Sequence, residues 1–585
     1  MSTIASLAAT SGQDTFSIRS TATSTVVLPK EGKKDYAIVK AWRPVALPCV
    51  IGKILERLVA DELKEVAIKH SLIPRRQYGF AGRSTAKALG FITNLVINGW
   101  CADTKHNKKY WKTSLLGLDI SGAYDHVKRM ELIKVLVAKP PILEIFEEAH
   151  PGHIVFGLSY VDDTYIVVSS TSWDENCRLL AEWHEKVMDW ASPRGIRFDP
   201  GKYKVMHFRK PLSQETPFAK LPPIPRLLPS ALVKEKPDAD PLSDDETSLR
   251  ILGVQVDHRM NWSAHIDKIE ARVDAKMDWL SKISKSPWGP DLLGMRRIYL
   301  SSVRPIMTYA CAAWFVMPDD DSHQFGLKQY LVHRLDRVQY RCLVKIAGAY
   351  KNAPYQIIHK ELCIDPIAIH LHQVAMAHRA RLFETGEAQD LEEIRRTMYP
   401  RKLTPKFLNS HPYHTVFTAA KQLRDEALEQ AGPGCKNPHK AINSYVAEQA
   451  ALKSTQMWNR YRRDQRKEAA RKSKELPVAL EDDWGPSNLK RYKDLSRAQR
   501  TIIMNLRIGF DDEARKELPL LMQVSDRHGN KKTIFRPLKS LLHDYACDVA
   551  KWAIHHLKLA QFQWTDQHLL HGSSKKHPHF LFEGT

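Results

Sequence analysis

The sequence predicts a multidomain chain of the α/β class, with its strand-like runs in the first half and helices dominating the remainder. Three observations carry that expectation. At 585 residues and 67.0 kDa, the chain exceeds what one hydrophobic core usually serves, so about two to four domains are expected. Short apolar runs bounded by turn formers occur at residues 25–28, 114–120, 156–168 and 249–256. Apolar residues at three- and four-residue steps occupy most other segments, first between Gly52 and Lys69 and then from residue 263 to 380.

Taken in order, Thr25 to Leu28 forms a short strand, ended by Pro29 and the polar turn Lys30-Glu31-Gly32-Lys33-Lys34. Between Gly52 and Lys69 the residues Ile54, Leu55, Leu58, Val59, Leu63 and Val66 share one helical face. Ser114 to Ile120 is apolar and short enough for a buried strand, and Phe156 to Val168 reads as two β-rich runs hinged at an acidic turn. A helix is expected over 175–191, ahead of a turn at Gly195. Residues 211–248, rich in proline and acids, form a linker or surface insertion. Leu249 to Val256 reads as one strand, 263–285 as a helix, and 440–475 as a basic helix. The last hundred residues read as a helical unit behind the turn Asp482-Asp483-Trp484-Gly485-Pro486.

Composition narrows the function. A hydrophobic share of 43% and a charged share of 26% are ordinary for a folded chain and exclude wholesale disorder. No apolar run reaches about eighteen residues, which excludes a membrane-spanning helix. Lys and Arg number 88 against 66 Asp and Glu, a net charge of +22. Such an excess suits a polyanion, nucleic acid first, although basic charge also serves solubility alone. The eight cysteines are scattered singly, with no C-x-x-C pair, so neither a zinc ribbon nor a redox motif is expected, and a reducing compartment is the simpler reading.

Tyr160-Val161-Asp162-Asp163 places two adjacent carboxylates at the tip of a strand–turn–strand. Hard oxygen donors of this kind suit magnesium, which also takes substrate phosphates. Leu115 to Leu118 delivers Asp119 at the end of another strand, before a helix that includes Tyr124 and Asp125. Carboxylates from two strand ends can hold a pair of metal ions about 3.5–4 Å apart for an in-line displacement. Each feature also has a plain structural reading, since acidic pairs occupy solvated hairpin tips and an aspartate after a strand caps the next helix.

The order of these features and their flanks resembles the reverse transcriptases of non-LTR (LINE-type) retrotransposons, most like those of fungi. Lys40 to Leu63 looks like the fingers segment of that family, and Gln77 to Thr85 its Gly-Phe-rich motif, one residue shorter than usual. Leu118 to Val127 (LDISGAYDHV) resembles the first catalytic palm motif and Tyr160 to Asp163 the second. Gly195 to Phe208 and Leu252 to Ile266 look like the two motifs after the palm, and Arg297 to Trp314 with Arg334 to Tyr350 like the thumb and its extension. The resemblance implies a right-hand polymerase fold of fingers and palm, with a helical thumb and a mostly helical C-terminal region. The implied divisions are a disordered N-terminus (1–24), fingers and palm (25–210), the linker (211–248), the end of the palm and the thumb (249–380), a basic helical region (381–480) and a helical tail (481–585).

It further implies that Asp119, Asp162 and Asp163 bind two Mg²⁺ ions, Asp119 and Asp162 as principal ligands and Asp163 as an auxiliary one. Tyr124 would pack under the incoming sugar, where a ring excludes a 2′-hydroxyl. Lys202 would stabilise or protonate the leaving pyrophosphate. A core tyrosine and a strand-edge lysine are the alternatives for these two. Arg43 and Lys33 would reach the triphosphate or the template backbone, and Arg83 a template phosphate. The implied partners are an RNA template, a DNA primer and dNTPs. The implied location is the nucleus, with the mitochondrion as the alternative because the first thirty residues are rich in Ser and Thr.

Two departures bear on activity. Asp119 and Asp162 lie only 43 positions apart, and the long helix and Pro-Gln-Gly turn that the family carries between them are missing, as by an internal deletion around 138–156. Positioning of the reactants is worth about 7–11 kcal/mol, so loss of that floor sets two functions against each other. One is an RNA-directed DNA polymerase; the other is a non-catalytic RNA- or DNA-binding remnant. The family's endonuclease, ribonuclease H and cysteine–histidine cluster are not expected here, although Leu495 to Arg507 and Ala550 to Trp564 resemble its fungal tail.

Finally, Trp458 to Lys474 carries eight basic residues against two acids. On a helix, Arg460, Arg462, Arg463 and Arg466 would track phosphates while Trp458 and Tyr461 stack on bases. A solvated face balanced by Asp464 and Glu468 is the alternative.

Overall fold

The computed structural model describes residues 23–29, 35–38, 41–70, 73–80, 82–101, 110–120, 143, 146, 152–211, 223–224, 248–284, 290–317, 326–350, 352–398, 412–472, 476–493, 495–508, 521–525, 531–535, single residues between 542 and 550, and 580–581. Lys33, Tyr124, residues 1–22 and nearly all of the expected 211–248 linker lie outside the described residues. The chain divides into two units, Met1–Gln77 with Val127–Ile145, and Tyr78–His126 with Phe146–Thr585.

In the first unit, β1 (Thr23–Pro29) pairs antiparallel with β2 (Trp42–Pro48), placing Val27 opposite Pro44. A two-stranded ribbon has an open outer edge on each strand, so the missing N–H of Pro44 breaks no ladder. Helix α1 (Val50–Lys69) comes directly after, its N-terminus capped by the Cys49 Sγ, which accepts the Gly52 N–H at 3.3 Å.

In the second unit, α2 (Thr85–Cys101) is buried at every residue from Phe91 to Trp100. A helix buried all round belongs inside a core, and its Thr93 and Asn94 side chains are satisfied by the Gly90 carbonyl at 3.1 and 2.7 Å. Strands β3 (Lys112–Asp119), β4 (Ile154–Tyr160) and β5 (Asp163–Ser170), then α3 (Trp173–Ala191) and β6 (Lys204–Phe208), build an antiparallel sheet of order β4-β5-β3-β6. Strands β3, β4 and β5 are buried along nearly their whole length because both faces are covered. Leu115, Phe156, Leu158, Tyr165 and Val167 join the core that contains α2. The alternate residues Leu116, Leu118, Ile166 and Val168 are buried on the opposite face, where α3 packs on β3 and β5. Asn176 of α3 ties that layer down, donating from Nδ2 to the Lys112 carbonyl at 2.9 Å and to Ser114 Oγ at 3.0 Å.

Leu249 to Val256, expected to be one strand, is a hairpin of β7 (Ser248–Ile251) and β8 (Val254–Asp257). Its two-residue turn, Leu252-Gly253, has positive φ at both positions (+47° and +86°), the geometry that matches strand twist in tight hairpins. Helix α4 (Ser263–Ser284) comes next. Then come α5 (Leu292–Ile298), a π-helical turn at Tyr299–Val303, α6 (Arg304–Thr308), α7 (Cys311–Trp314) and α8 (Gln329–Ala347). Pro305, lacking an N–H, accounts for the π turn just before it. Salt bridges link α4 to α8 at Asp267–Arg334 (2.6 Å), Asp274–Arg341 (3.0 Å) and Asp278–Lys345 (3.1 Å). The constant 67-residue offset makes the two helices parallel.

Helices α9 (Tyr355–Leu362), α10 (Ile367–Leu382), α11 (Glu387–Met398), α12 (Pro412–Ala431) and α13 (Pro438–Lys472) continue the unit. The C-terminal stretch departs from the expected helical tail. After α14 (Arg497–Ile508), strands β9 (Leu521–Ser525), β10 (Lys531–Phe535) and β11 (Phe580–Leu581) form a sheet of order β10-β9-β11. Leu-Met-Gln-Val and Thr-Ile-Phe are short β-prone runs separated by the turn formers Asp526, Gly529 and Asn530, a pattern that outweighs the helical reading.

A buried ionic network holds α14 to α9. Glu361 accepts from Arg507 at 3.1 and 3.0 Å and from the Tyr492 hydroxyl at 2.5 Å. Lys360 reaches Glu361 at 2.9 Å and the Ala479 carbonyl at 3.0 Å, while Arg491 (2.8 Å) and Arg507 both bond Asp482. Lys360, Glu361 and Arg507 are fully buried.

Candidate active site

Asp119 closes β3 and Asp163 opens β5, and the antiparallel register sets them directly opposite one another. The same register pairs Gly117 with Tyr165 on β5 and with Lys204 on β6. Cross-strand partners share a face, so Asp119, Asp163 and Lys204 rise from one side of the sheet around Gly117, whose missing side chain leaves space. They line a cavity of about 590 Å³, with Lys202, Arg250, the Leu252-Gly253 turn and Tyr309 in its other walls. The Tyr309 hydroxyl donates to the Leu252 carbonyl at 3.0 Å and lies 3.3 Å from Thr85 Oγ1, fixing the hairpin tip against α2. A Cβ on Gly253 would meet the Tyr309 ring at 3.2 Å, so the turn and the ring fit closely only with glycine there.

Asp162 occupies the exposed two-residue turn of the β4–β5 hairpin, behind Val161. Val161 has φ +58°, a left-handed conformation that costs a β-branched residue about 1–2 kcal/mol. Burial, then the charges of Asp162 and Asp119, push the Asp163 carboxyl above the usual carboxylate range, and Lys204 and Arg250 pull it back. All three acids therefore act within one electrostatic field.

Lys202 sits in a single 3-10 turn (Pro200–Lys202), where Asp199 Oδ1 accepts the Gly201 N–H at 3.1 Å. The Asp199 N–H in turn donates to the Asp119 carbonyl at 3.0 Å, which anchors the turn beside β3. Lys202 Nζ then lies 2.5 Å from Asp119 Oδ2 and 3.7 Å from Asp199 Oδ2. The hydrogen bond to Asp119 raises the lysine pKa, so it remains a cation.

Among the described residues no group of three or more His, Cys, Asp or Glu side chains is set closely enough to hold a metal unaided. The donor chemistry still suits a small hard cation, which usually takes one or two carboxylates and completes its shell with water and substrate phosphates. Asp119 and Asp163 on one face, with Asp162 adjacent, fit that requirement.

Of the residues expected from the sequence, the fold brings together Asp119, Asp163 and Lys202, with Asp162 beside them at the turn. Arg83 precedes α2 and is half-buried, and burial pulls its pKa down. Arg43 is exposed on β2 of the first unit. Trp458 corrects the stacking expectation. It is fully buried, donates its indole N–H to the Asp482 carbonyl at 3.0 Å, and has the Lys360 ammonium 5.6 Å from its ring. Tyr461 packs half-buried against the same core. Arg462 bonds Asp483 (2.8 Å) and Asn459 (3.1 Å), whereas Arg460, Arg463 and Arg466 are exposed. Sequence reasoning missed Lys204, Arg250 and Tyr309. Lys204 is the exposed first residue of the otherwise buried β6 and Arg250 an exposed cation between buried neighbours in β7, but nothing local marks Tyr309.

Residues 28–141 match the family model described as reverse transcriptase (RNA-dependent DNA polymerase), a range that includes Asp119 and ends before Asp162. The chain is 22% identical over 420 residues to the probable RNA-directed DNA polymerase from transposon X-element of Drosophila melanogaster, covering 62% of this chain and 42% of that protein. It is 20% identical over 378 residues to the one from transposon BS of the same species, covering 55% and 38%. To the RNA-directed DNA polymerase from its mobile element jockey it is 22% identical over 416 residues, covering 61% and 41%. The chain thus spans about two fifths of the length of the curated relatives it matches.

Proposed function

We propose that this chain is the reverse-transcriptase portion of a non-LTR retrotransposon product, and that it extends a DNA primer with dNTPs on an RNA template. The observation that carries the reading is the register that sets Asp119 opposite Asp163, with Lys202 on Asp119, in a chain similar to transposon RNA-directed DNA polymerases. Asp119, Asp162 and Asp163 would hold Mg²⁺, which supplies activation of the attacking 3′-oxygen and charge relief on the leaving phosphates. Lys202, Lys204 and Arg250 give the cavity a positive rim against which a triphosphate is drawn and oriented. The right-hand arrangement of fingers, palm and thumb belongs to the same proposal, as do the fungal kinship and action in the nucleus.

Primer extension by the purified full chain on an RNA template, with Mg²⁺ or Mn²⁺ and with EDTA as the blank, tests the reading. Incorporation that vanishes with EDTA and with Asp119→Asn is the expected result. The 43-residue interval between Asp119 and Asp162 favours a second reading, a non-catalytic nucleic-acid-binding remnant. Salt-sensitive RNA binding with no incorporation under any metal would select it.

A further inference from the structure

Helix α13 is amphipathic in an unusual sense. Its inward stripe is Ile442, Val446, Ala450, Ser454 and Trp458, one residue every four, and it ends there. Beyond Trp458, Arg460, Arg463, Arg466, Lys467 and Arg471 are all exposed. At about 100° per residue, Arg460, Arg463, Lys467 and Arg471 fall within roughly 80° of one another, on the side opposite Trp458. From Arg460 to Arg471 the row is about 16 Å long at 1.5 Å per residue.

Of the other cations of this stretch, Arg462 pairs with Asp483 at 2.8 Å and Lys472 with Glu468 at 2.7 Å, and Arg466 is exposed to one side of the row. Among the described ion pairs, none involves any of the four cations in the outward row. Two exposed acids lie beside the row, Asp464 and Glu468; Lys472 offsets Glu468, so the row keeps a net charge of +3. Like charges at helical neighbour spacing repel and destabilise the helix, and an external polyanion relieves that repulsion. No aromatic residue stands among them, because Trp458 is fully buried and Tyr461 packs inward. Binding of single strands draws much of its strength from base stacking on aromatic rings, which this face does not offer. A row of cations without rings matches a phosphate backbone whose bases are already stacked inside a helix.

We propose that the outward face of the last turns of α13 is a second nucleic-acid-binding surface, outside the acidic cavity, that grips the backbone of a double helix without reading its sequence. A duplex presents one phosphate per about 1.7 Å of axis, so roughly ten fall along the row. The surface acts independently of nucleotide incorporation, so it stands even where the polymerase reading fails.

The test uses the full-length chain and a fluorescent 24-base-pair RNA duplex, with anisotropy read over a salt series. In the variant R460Q/R463Q/K467Q/R471Q the duplex affinity should fall at least tenfold near 100 mM salt. The slope of log K against log salt should shrink by about 3 to 4, as four lost phosphate contacts require. Arg396→Gln, which removes an exposed cation outside both the row and the acidic cavity, should leave both quantities unchanged. All four positions are exposed, and a thermal unfolding midpoint no lower than the parent's certifies the fold of the variant. Equal duplex affinity and slope in parent and variant would overturn the proposal. So would a single-stranded RNA of the same length binding as tightly as the duplex and losing as much in the variant.

Discussion

Asp119 and Asp163 face each other across β3 and β5, so two carboxylates are held side by side by backbone hydrogen bonding rather than by any attraction between them. Burial first, then the charges of Asp162 and Asp119, raises the pKa of Asp163. A carboxyl whose folded pKa exceeds its unfolded value binds protons more tightly when folded, so it penalises the fold above that pKa and ceases to do so as pH falls through it.

Asp163→Asn should therefore raise the unfolding midpoint of the metal-free protein at neutral pH. The gain should shrink toward zero as the pH is lowered through the carboxylate range. Primer extension by the same variant should drop by about 10²-fold or more, because a displaced reacting partner costs at least that much. Denaturation at pH 7.5 and pH 4.5 checks the first half. A variant less stable than the parent at both values would contradict it.

Val161→Gly tests the strain at the turn. Glycine adopts φ +58° freely, so stability should rise or hold despite glycine's greater unfolded-state entropy. The turn that aims Asp162 should loosen, and incorporation should fall. If stability falls by more than about 1 kcal/mol, the left-handed conformation is not strained in solution.

Much of this is readable in the residues because local periodicity determines it. The buried run before Asp119 and the paired runs around Asp162 announce covered strands, and the order of the motifs announces that they meet. Register is a long-range property, so nothing in the sequence alone shows that Asp163, rather than Asp162, stands opposite Asp119. The inward stripe of α13 is hidden for a different reason: Ala450 and Ser454 are small or polar, which flattens the pattern and leaves Trp458 looking available. Nothing local marks Lys360 and Glu361 as buried, and only the fold supplies the partners that allow their burial.

Those partners make Glu361 a sensitive position. Burial alone would raise its pKa, but Arg507, Lys360 and Arg491 hold it well below the usual carboxylate range, and Asp482 is held low in the same way. Removing one side of such a pair leaves uncompensated charge, so Glu361→Gln should cost about 3–5 kcal/mol by urea unfolding. Because both folded pKa values are depressed, their stabilisation is complete above about pH 4 and is lost as acid protonates them. A change below 1 kcal/mol in Glu361→Gln would show that the network is not closed in solution.

Histidines add an earlier acid sensitivity. Burial pulls His359 down to about 4, opposed only by its bond to the Ile364 carbonyl at 2.7 Å, and burial also pulls His370 and His372 down to about 4. The unfolded chain protonates these rings near pH 6.5 while the folded chain resists, so stability should decline from about pH 6.5 toward pH 4. His359→Gln should flatten that decline measurably. An identical slope in the variant would remove His359 from the explanation.

Phe146 shows what occupies the short connection between the acidic motifs. Its ring stacks on Trp183 at 5.1 Å and lies so close beneath β4 that a Cβ on Gly157 would stand 2.3 Å from it. Glycine is required there by space, since the ring and the strand backbone meet with no gap. Gly157→Ala should therefore destabilise the sheet by about 1–3 kcal/mol through overpacking. Phe146→Ala should cost about 3–5 kcal/mol through the void it leaves. The two losses should not add, because removing the ring gives the new methyl group somewhere to go, and the double variant should be no worse than Phe146→Ala alone. Urea unfolding of the four proteins decides the matter. Strict additivity would mean that Phe146 is not seated against Gly157 in solution and that the short connection leaves this face of the β4-β5-β3-β6 sheet uncovered.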